Sequence, residues 1–378
     1  MATLITVLVL ILIISVLVLV HELGHFFAAK LAGVRVEEFG MGLPPKIFGK
    51  KFGETTYSLN WLPFGGFVRL SGEDLEEDPA AKEDPRSFRN KSRLARSGIL
   101  VAGVLMNVLL AVLLYSFVFM LTSHKSLTLP MFFEHKFRYG NVEKLSTVVT
   151  GVQEGSLAEE AGIDRGEAVL EIGSVQVYSV SDVRDLLQGR ANKETSILLM
   201  DVTGVERELR TVHVVPQENE EGKVVLGVLL NDAFRLDYSG DRRFAPFKHA
   251  WNMLSYSVGT TGNLIQLSIE NRDISPVSDS VAGPVGISQA VAGILDYRGR
   301  DMWIGLLDLT ALLSISLAFL NILPFPALDG GRLVFVGIEA AVGKKATQRI
   351  EYSAHRWGML VLLLLIILVT VKDIRNLF

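Results

Sequence analysis

Four stretches of the chain are apolar and long enough to approach the ~20 residues that a membrane-spanning helix needs. They are 2–26, 97–122, 303–324 and 356–372. The third continues brokenly to about residue 340, because Asn321, Pro324 and Pro326 interrupt it. A broken helix at membrane depth is tolerated only where protein buries it or it lines a cavity. Between the first two spans, residues 54–70 alternate apolar and polar positions split by Gly and Pro, which predicts short strands or hairpins at the membrane face. Residues 73–96 are crowded with charge and read as a mobile connector. Residues 145–232 change character: β-branched runs bounded by turns, a short helix ending at Gly162 and a helix from about Ser181 predict a compact soluble domain. A helix follows over 246–269 with Phe247, Trp251, Leu254, Leu264 and Leu267 on one side, which suits a membrane surface or an ordinary linker.

Composition adds little to this pattern, since 49% of the 378 residues are hydrophobic, as in many soluble domains. The first run is read as a mature span and not a cleaved leader. No basic residue precedes it, and it flows into "HELGH" without a small-residue cleavage site. Lys82, Arg86, Arg89, Lys91, Arg93 and Arg96 precede the second span, and Lys344, Lys345 and Arg349 lie between the third and fourth. Both loops are therefore expected in the cytoplasm, with 123–302 and both termini outside; Lys372 and Arg375 run against this. The absence of cysteine excludes disulfides and thiolate ligands, and the net charge of −4 points to no nucleic-acid partner.

The candidate chemistry is in "HELGH". Positions i and i+4 share a helix face, so His21 and His25 can present two imidazoles to one Zn²⁺, with Glu22 beside them to hold a water. Ionisable groups at the end of a lipid-spanning helix need such a reason to be there. A catalytic zinc takes three protein ligands, and Asp329 in "NILPFPALDGG" is the obvious third, or alternatively a helix N-cap. Two imidazoles and a carboxylate would also accept iron or cobalt. Gly103 and Asn107 read as a close helix contact with an interhelical hydrogen bond. Asp308 is expected at the outer interface, and His124, His135, His213, His249 and His355, which have no ligand-like spacing, at surfaces or interfaces.

Two resemblances then organise the chain. The "GSLAEEAGI…GE…L…I" pattern resembles a PDZ domain in the circularly permuted arrangement of bacterial proteases. HELGH in the first span, with Asn321, Pro324, Pro326, Leu328, Asp329, Gly330 and Gly331 filling N-x-x-P-x-P-x-L-D-G-G, resembles the site-2 protease family of intramembrane zinc metalloproteases. "AGPVGISQAVAG" ahead of the third span and the single inserted PDZ module match its bacterial members, the best-known of which has two such modules. The resemblance implies a polytopic α-helical membrane protein with about four transmembrane helices, a membrane-associated β-rich re-entrant loop and one inserted α+β PDZ domain. Its parts would be a membrane core over 1–122 and 303–378, a linker 123–144, the PDZ domain 145–235 and amphipathic and linker helices 236–302. It implies His21, His25 and Asp329 as zinc ligands and Glu22 as the catalytic proton carrier. Asn321, Pro324, Pro326, Gly66 and Phe67 would hold substrate, an extended segment adding to the edge of the 54–70 strands. Substrates would be single-span proteins of the bacterial cytoplasmic membrane, anti-sigma factors or signal-peptide remnants, cleaved in regulated intramembrane proteolysis. Membrane lipid is a further partner. The PDZ domain would lie outside the cytoplasm, contacting substrate or an upstream component, or acting as a size filter. The alternative is a catalytically silent, membrane-anchored PDZ scaffold.

Overall fold

The computed structural model describes residues 2–73, 84–153, 155–202, 209–217, 224–297 and 299–375. They fall into two compact units, Met1–Tyr115 with Thr261–Phe378, and Ser116–Thr260. Among the described residues, four helices are long and apolar enough to cross a membrane: Thr3–Leu31, Arg93–Leu121, Arg300–Ile322 and Ser353–Arg375. They match the four spans expected from the sequence.

The first unit opens with α1 (Ala2–Leu31), whose first twenty-two residues hold no Gly or Pro. At 1.5 Å per residue it is about 45 Å long, more than the ~30 Å hydrocarbon core, and its last turns carry HELGH. Strands β1 (Val36–Phe52) and β2 (Thr55–Leu70) follow as a folded two-stranded sheet. Residues 46–52 pair with 55–60, while 38–41 have partners on both sides, 56–59 and 66–69. The stretch 66–70 is thereby the outermost on its side. The expected connector is only partly visible, since 74–83 lie outside the described residues. Its remainder is anchored, contrary to expectation: Phe88 packs with Ala29, Val34, Ile99 and Val336, and its N–H donates to the Ser71 carbonyl at 2.8 Å. Polar contacts of the same segment add to this ring, Arg86 pairing with Glu54 at 2.8 Å and the Arg35 N–H donating to the Arg86 carbonyl at 3.0 Å. Helix α2 (Arg93–Leu121) completes this half.

The second unit is built on a mostly antiparallel-paired sheet of β3 (Leu129–Pro130), β4 (Asn141–Val152), β5 (Glu167–Ile172), β6 (Val175–Gln176), β7 (Thr195–Asp201), β8 (Leu209–Val214) and β9 (Val228–Asp237). Its main path runs β3-β9-β4-β5-β7-β8. The short α3 (Leu157–Glu160) and α4 (Val180–Gln188) begin at Ser156 and Ser179, whose hydroxyls cap the helix by accepting from the third residue on. Val149, Ile163, Ile172, Val183, Ile197 and Leu199 form its core. Helix α5 (Ala245–Asn271) buries Ala245, His249, Asn252 and Met253 and leaves Phe247 and Trp251 exposed.

His249 corrects the surface assignment. It is 1% exposed, its ring edge-on to Phe119 and its Nδ1 3.1 Å from the Tyr238 hydroxyl. Burial pushes its pKa down to about 3, below the ordinary ~6.5. The unfolded chain then takes up the proton first, so the stability held by neutral His249 is complete above about pH 6.5 and is lost as pH falls towards 3. Between pH 7 and 5 the loss is about 2 kcal/mol. Hydrogen exchange in segments covering Tyr238 and Met253, corrected for intrinsic rates, should accelerate over that range in the wild type and less in His249→Phe.

The chain returns to the first unit through α6 (Ser275–Ser280), α7 (Pro284–Asp296), α8 (Arg300–Ile322), α9 (Asp329–Val342) and α10 (Lys344–Arg375). Val291 of α7 packs among Leu10, Ile13 and Leu17 of α1 and Leu309, Leu313 and Leu317 of α8. The Asp373 carboxylate of α10 accepts the Gly283 and Gly286 N–H groups, both at 2.9 Å, and so caps α7. Asp308 is 8% exposed, on the face of α8 that carries the helix packing.

Candidate metal and peptidase centre

Three segments far apart in sequence bring their polar atoms together. His21 and His25 project from one face of α1. Asp329 is the first residue of α9, where Leu328 holds the N-cap position, so its carboxylate is not the cap. The break between α8 and α9 aims it. Ala327 is held at φ +91°, a conformation costly for a residue with a Cβ. A Cβ on Gly330 would stand 2.2 Å from the Ile322 carbonyl oxygen, and one on Gly331 2.2 Å from that of Phe325. Only glycines let the helix nest so tightly on the broken turn.

Asp329 Oδ2 lies 3.0 Å from His21 Nε2 and 3.2 Å from His25 Nε2, and the two Nε2 atoms are 3.1 Å apart. Two donors about 2.0–2.1 Å from a tetrahedral zinc are separated by roughly 3.3 Å, so this triangle has the dimensions of a three-ligand site. The donors are the two imidazoles and one carboxylate that suit such an ion. His25 Nδ1 donates to the Ile99 carbonyl at 2.8 Å, which fixes the proton there and leaves Nε2 free for a cation. His21 Nδ1 is 3.3 Å from the Asn107 amide, whose Oδ1 is buried with no partner among the described residues. A half-turn of that amide brings the oxygen to His21 Nδ1–H, and Nε2 is again free. A metal ion therefore fits both rings.

Helix packing supports the same geometry. A Cβ on Gly24 of α1 would fall 2.3 Å from the Ala102 carbonyl oxygen of α2, and one on Gly103 would fall 2.5 Å from His25 Nε2. The expected close contact at Gly103 and interhelical hydrogen bond at Asn107 are both present, but both act on the histidines. Asn107 is the site residue that sequence reasoning missed; an amide deep in an apolar span was the signal. Nothing in the sequence marks the Ile99 carbonyl.

A cavity of about 390 Å³ opens onto this cluster, lined among others by Glu22, Phe67, Val68, Asn321, Glu73 and Arg332. Among the described residues Glu22 makes no ion pair, so its carboxylate is uncommitted. Gly66 sits beside it, a Cβ there falling 3.8 Å from Glu22 Cγ. The Asn321 amide is 3.4 Å from His21 Nε2. Pro324 and Pro326 are not among the described lining residues. The Pro326 carbonyl packs against Gly358 of α10.

The profile of the family described as Peptidase family M50 matches residues 9–365. The chain belongs to peptidase family M50. This M50 peptidase is a zinc metalloprotease of the site-2 protease class and a multi-pass membrane protein. It is 32% identical over 360 residues to a protein of Clostridium perfringens named as a zinc metalloprotease, covering 95% of this chain and 96% of that one. A protein of Fusobacterium nucleatum named in the same way is 30% identical over 374 residues, with 99% of each chain covered. A chloroplastic membrane metalloprotease of Arabidopsis thaliana is 30% identical over 375 residues, 97% of this chain and 79% of that one.

Proposed function

We propose that this M50 peptidase hydrolyses peptide bonds within or next to the transmembrane segments of single-span membrane proteins, anti-sigma factors or signal-peptide remnants, in regulated proteolysis at the bacterial inner membrane. The observation that carries this reading is the convergence of His21 and His25, on a helix long enough to span a bilayer, with Asp329 at the start of α9, beside an uncommitted Glu22. His21, His25 and Asp329 would hold the zinc. Bound there, zinc would supply Lewis acidity and lower the pKa of a water to about 7. Glu22 takes a proton from the attacking water as its oxygen bonds to the peptide carbonyl carbon. It returns a proton to the amide nitrogen as the C–N bond breaks. Asn321 and Phe67, at the cavity wall, would hold the substrate backbone.

A helical substrate has its peptide groups hydrogen-bonded internally, so it must unwind before it is cut. Residues 66–70 are the outermost stretch of the β1–β2 sheet, and Phe67, Val68 and Leu70 line the cavity. An extended substrate adding there would replace its lost hydrogen bonds with new main-chain ones. Residues 145–235, within the Ser116–Thr260 unit, are read as the PDZ domain, outside the cytoplasm, their sequence pattern and two short helices on a sheet supporting that. It would contact substrate or filter it by size.

The test is cleavage of a panel of single-span substrates by purified protein in detergent, wild type against Phe67→Pro, Val68→Pro and Arg69→Pro. Proline cannot donate to a ladder, and successive N–H groups alternate sides. At least one substitution should abolish cleavage with bound zinc unchanged. Full cleavage by all three variants would rule out strand addition, and no cleavage by the wild type would count against the protease reading on these substrates.

A further inference from the structure

The cavity holds two charged side chains that the chemistry above does not use. Arg332 is ion-paired with Glu73 Oε1, and the two side chains are 22% and 19% exposed. The other carboxylate oxygen of Glu73 accepts the Leu70 N–H at 3.4 Å, and the Glu73 N–H donates to the Leu70 carbonyl at 3.2 Å. Arg89 secures the Glu73 carbonyl at 3.1 Å. Leu70 is the last residue of β2. Arg332 stands three residues after Asp329, hence on the same face of α9. One carboxylate thus ties the end of the outermost strand to the helix that presents Asp329. The neighbouring cation Arg96 is committed elsewhere, to Glu339 at 2.7 Å.

Both walls joined by this pair also share an apolar cluster, Leu70 and Val68 of β2 with Val336 and Leu333 of α9, but apolar packing is non-directional and leaves their offset to polar contacts. β2 belongs to a sheet of two strands, and α9 follows a chain break of two prolines. A partly buried ion pair contributes little net stability, and the best-attested use of pairs drawn out of water is to fix register. Register matters here, because adjacent residues of a strand are about 3.3 Å apart, and a slip of one residue turns every side chain to the opposite face.

We propose that Glu73 and Arg332 form a positioning clasp, which holds the edge strand 66–70 at a fixed offset from Asp329 and so decides which peptide bond of an extended substrate is cut. The selection of the bond rests on the strand-addition reading given above; the clasp itself does not. It makes Glu73 and Arg332 specificity-determining residues that need not touch the reacting atoms.

Full-length Glu73→Gln, Arg332→Gln and the exchanged pair Glu73→Arg with Arg332→Glu test this with two readouts. Hydrogen exchange of amides 66–71 reads the clasp without catalysis, and mass-spectrometric mapping of products from one single-span substrate reads the bond chosen. Bound zinc is measured in every variant and should equal that of the wild type. Exchange should quicken by roughly tenfold or more in each single variant. Cleavage should spread from one bond to bonds two residues away, the slip that preserves side-chain facing. The exchanged pair should restore slow exchange and the single product. Wild-type exchange in both single variants would overturn the clasp, as would reduced cleavage at one unchanged bond that the exchanged pair fails to rescue. If the wild type cuts no substrate while exchange responds as expected, the clasp is supported and the functional reading fails.

Discussion

Glu22→Gln is expected to retain its zinc and lose cleavage by about 10²–10⁴-fold, the usual worth of a positioned acid–base group. Glutamine keeps the shape and hydrogen-bonding reach of glutamate but cannot accept a proton. The ligand atoms are elsewhere, on His21, His25 and Asp329, so metal retention should be untouched. The two measurements together separate chemistry from site assembly. Loss of zinc in the variant would make Glu22 a ligand or a support, and full cleavage would remove it from the reaction. His21→Ala would behave differently, losing metal and activity together.

Gly103→Ala is expected to damage the site from a residue that has no side chain of its own. The added methyl would stand 2.5 Å from His25 Nε2 and 2.7 Å from both His21 Cε1 and His25 Cε1. A flexible side chain could move away, but these rings cannot. His25 is held from behind by the Ile99 carbonyl at 2.8 Å, and both Nε2 atoms face Asp329. Loss of such outer support typically costs 10–100-fold in metal affinity, and cleavage should fall in parallel. Gly98→Ala on the same helix is the control, because a Cβ there meets nothing within 4 Å. Zinc stoichiometry after equilibrium dialysis, with helicity followed by circular dichroism, distinguishes a disturbed site from a misfolded chain. Equal zinc affinity in the two variants would contradict the tight packing of α2 on the histidines.

The donor set was legible because its parts obey rules of spacing and cost. His21 and His25 lie one helical turn apart, and Asp329 is a charge inside an interrupted apolar run. The four spans followed from length alone. What escaped depends on tertiary neighbours. Asn107 read as a packing residue because nothing local says that a histidine stands across from it. His249 read as a surface or interface residue and Asp308 as an interface one because a lone ionisable residue carries no spacing, and their burial is set by what packs over them. The sheet was harder still: its Gly and Pro residues broke the alternation into fragments, although residues 38–41 pair on both sides. Phe88 shows the converse, a ring that helps to anchor a segment whose composition suggested no anchor.

The distance along the chain between the histidines and their carboxylate has a consequence for biogenesis. His21 and Asp329 are 308 positions apart, and the whole Ser116–Thr260 unit is made between them. A nascent chain therefore carries two donors and no third until that unit and the broken turn before Asp329 have been made. A chain cut short anywhere before Asp329 keeps both histidines and lacks the third donor of the site.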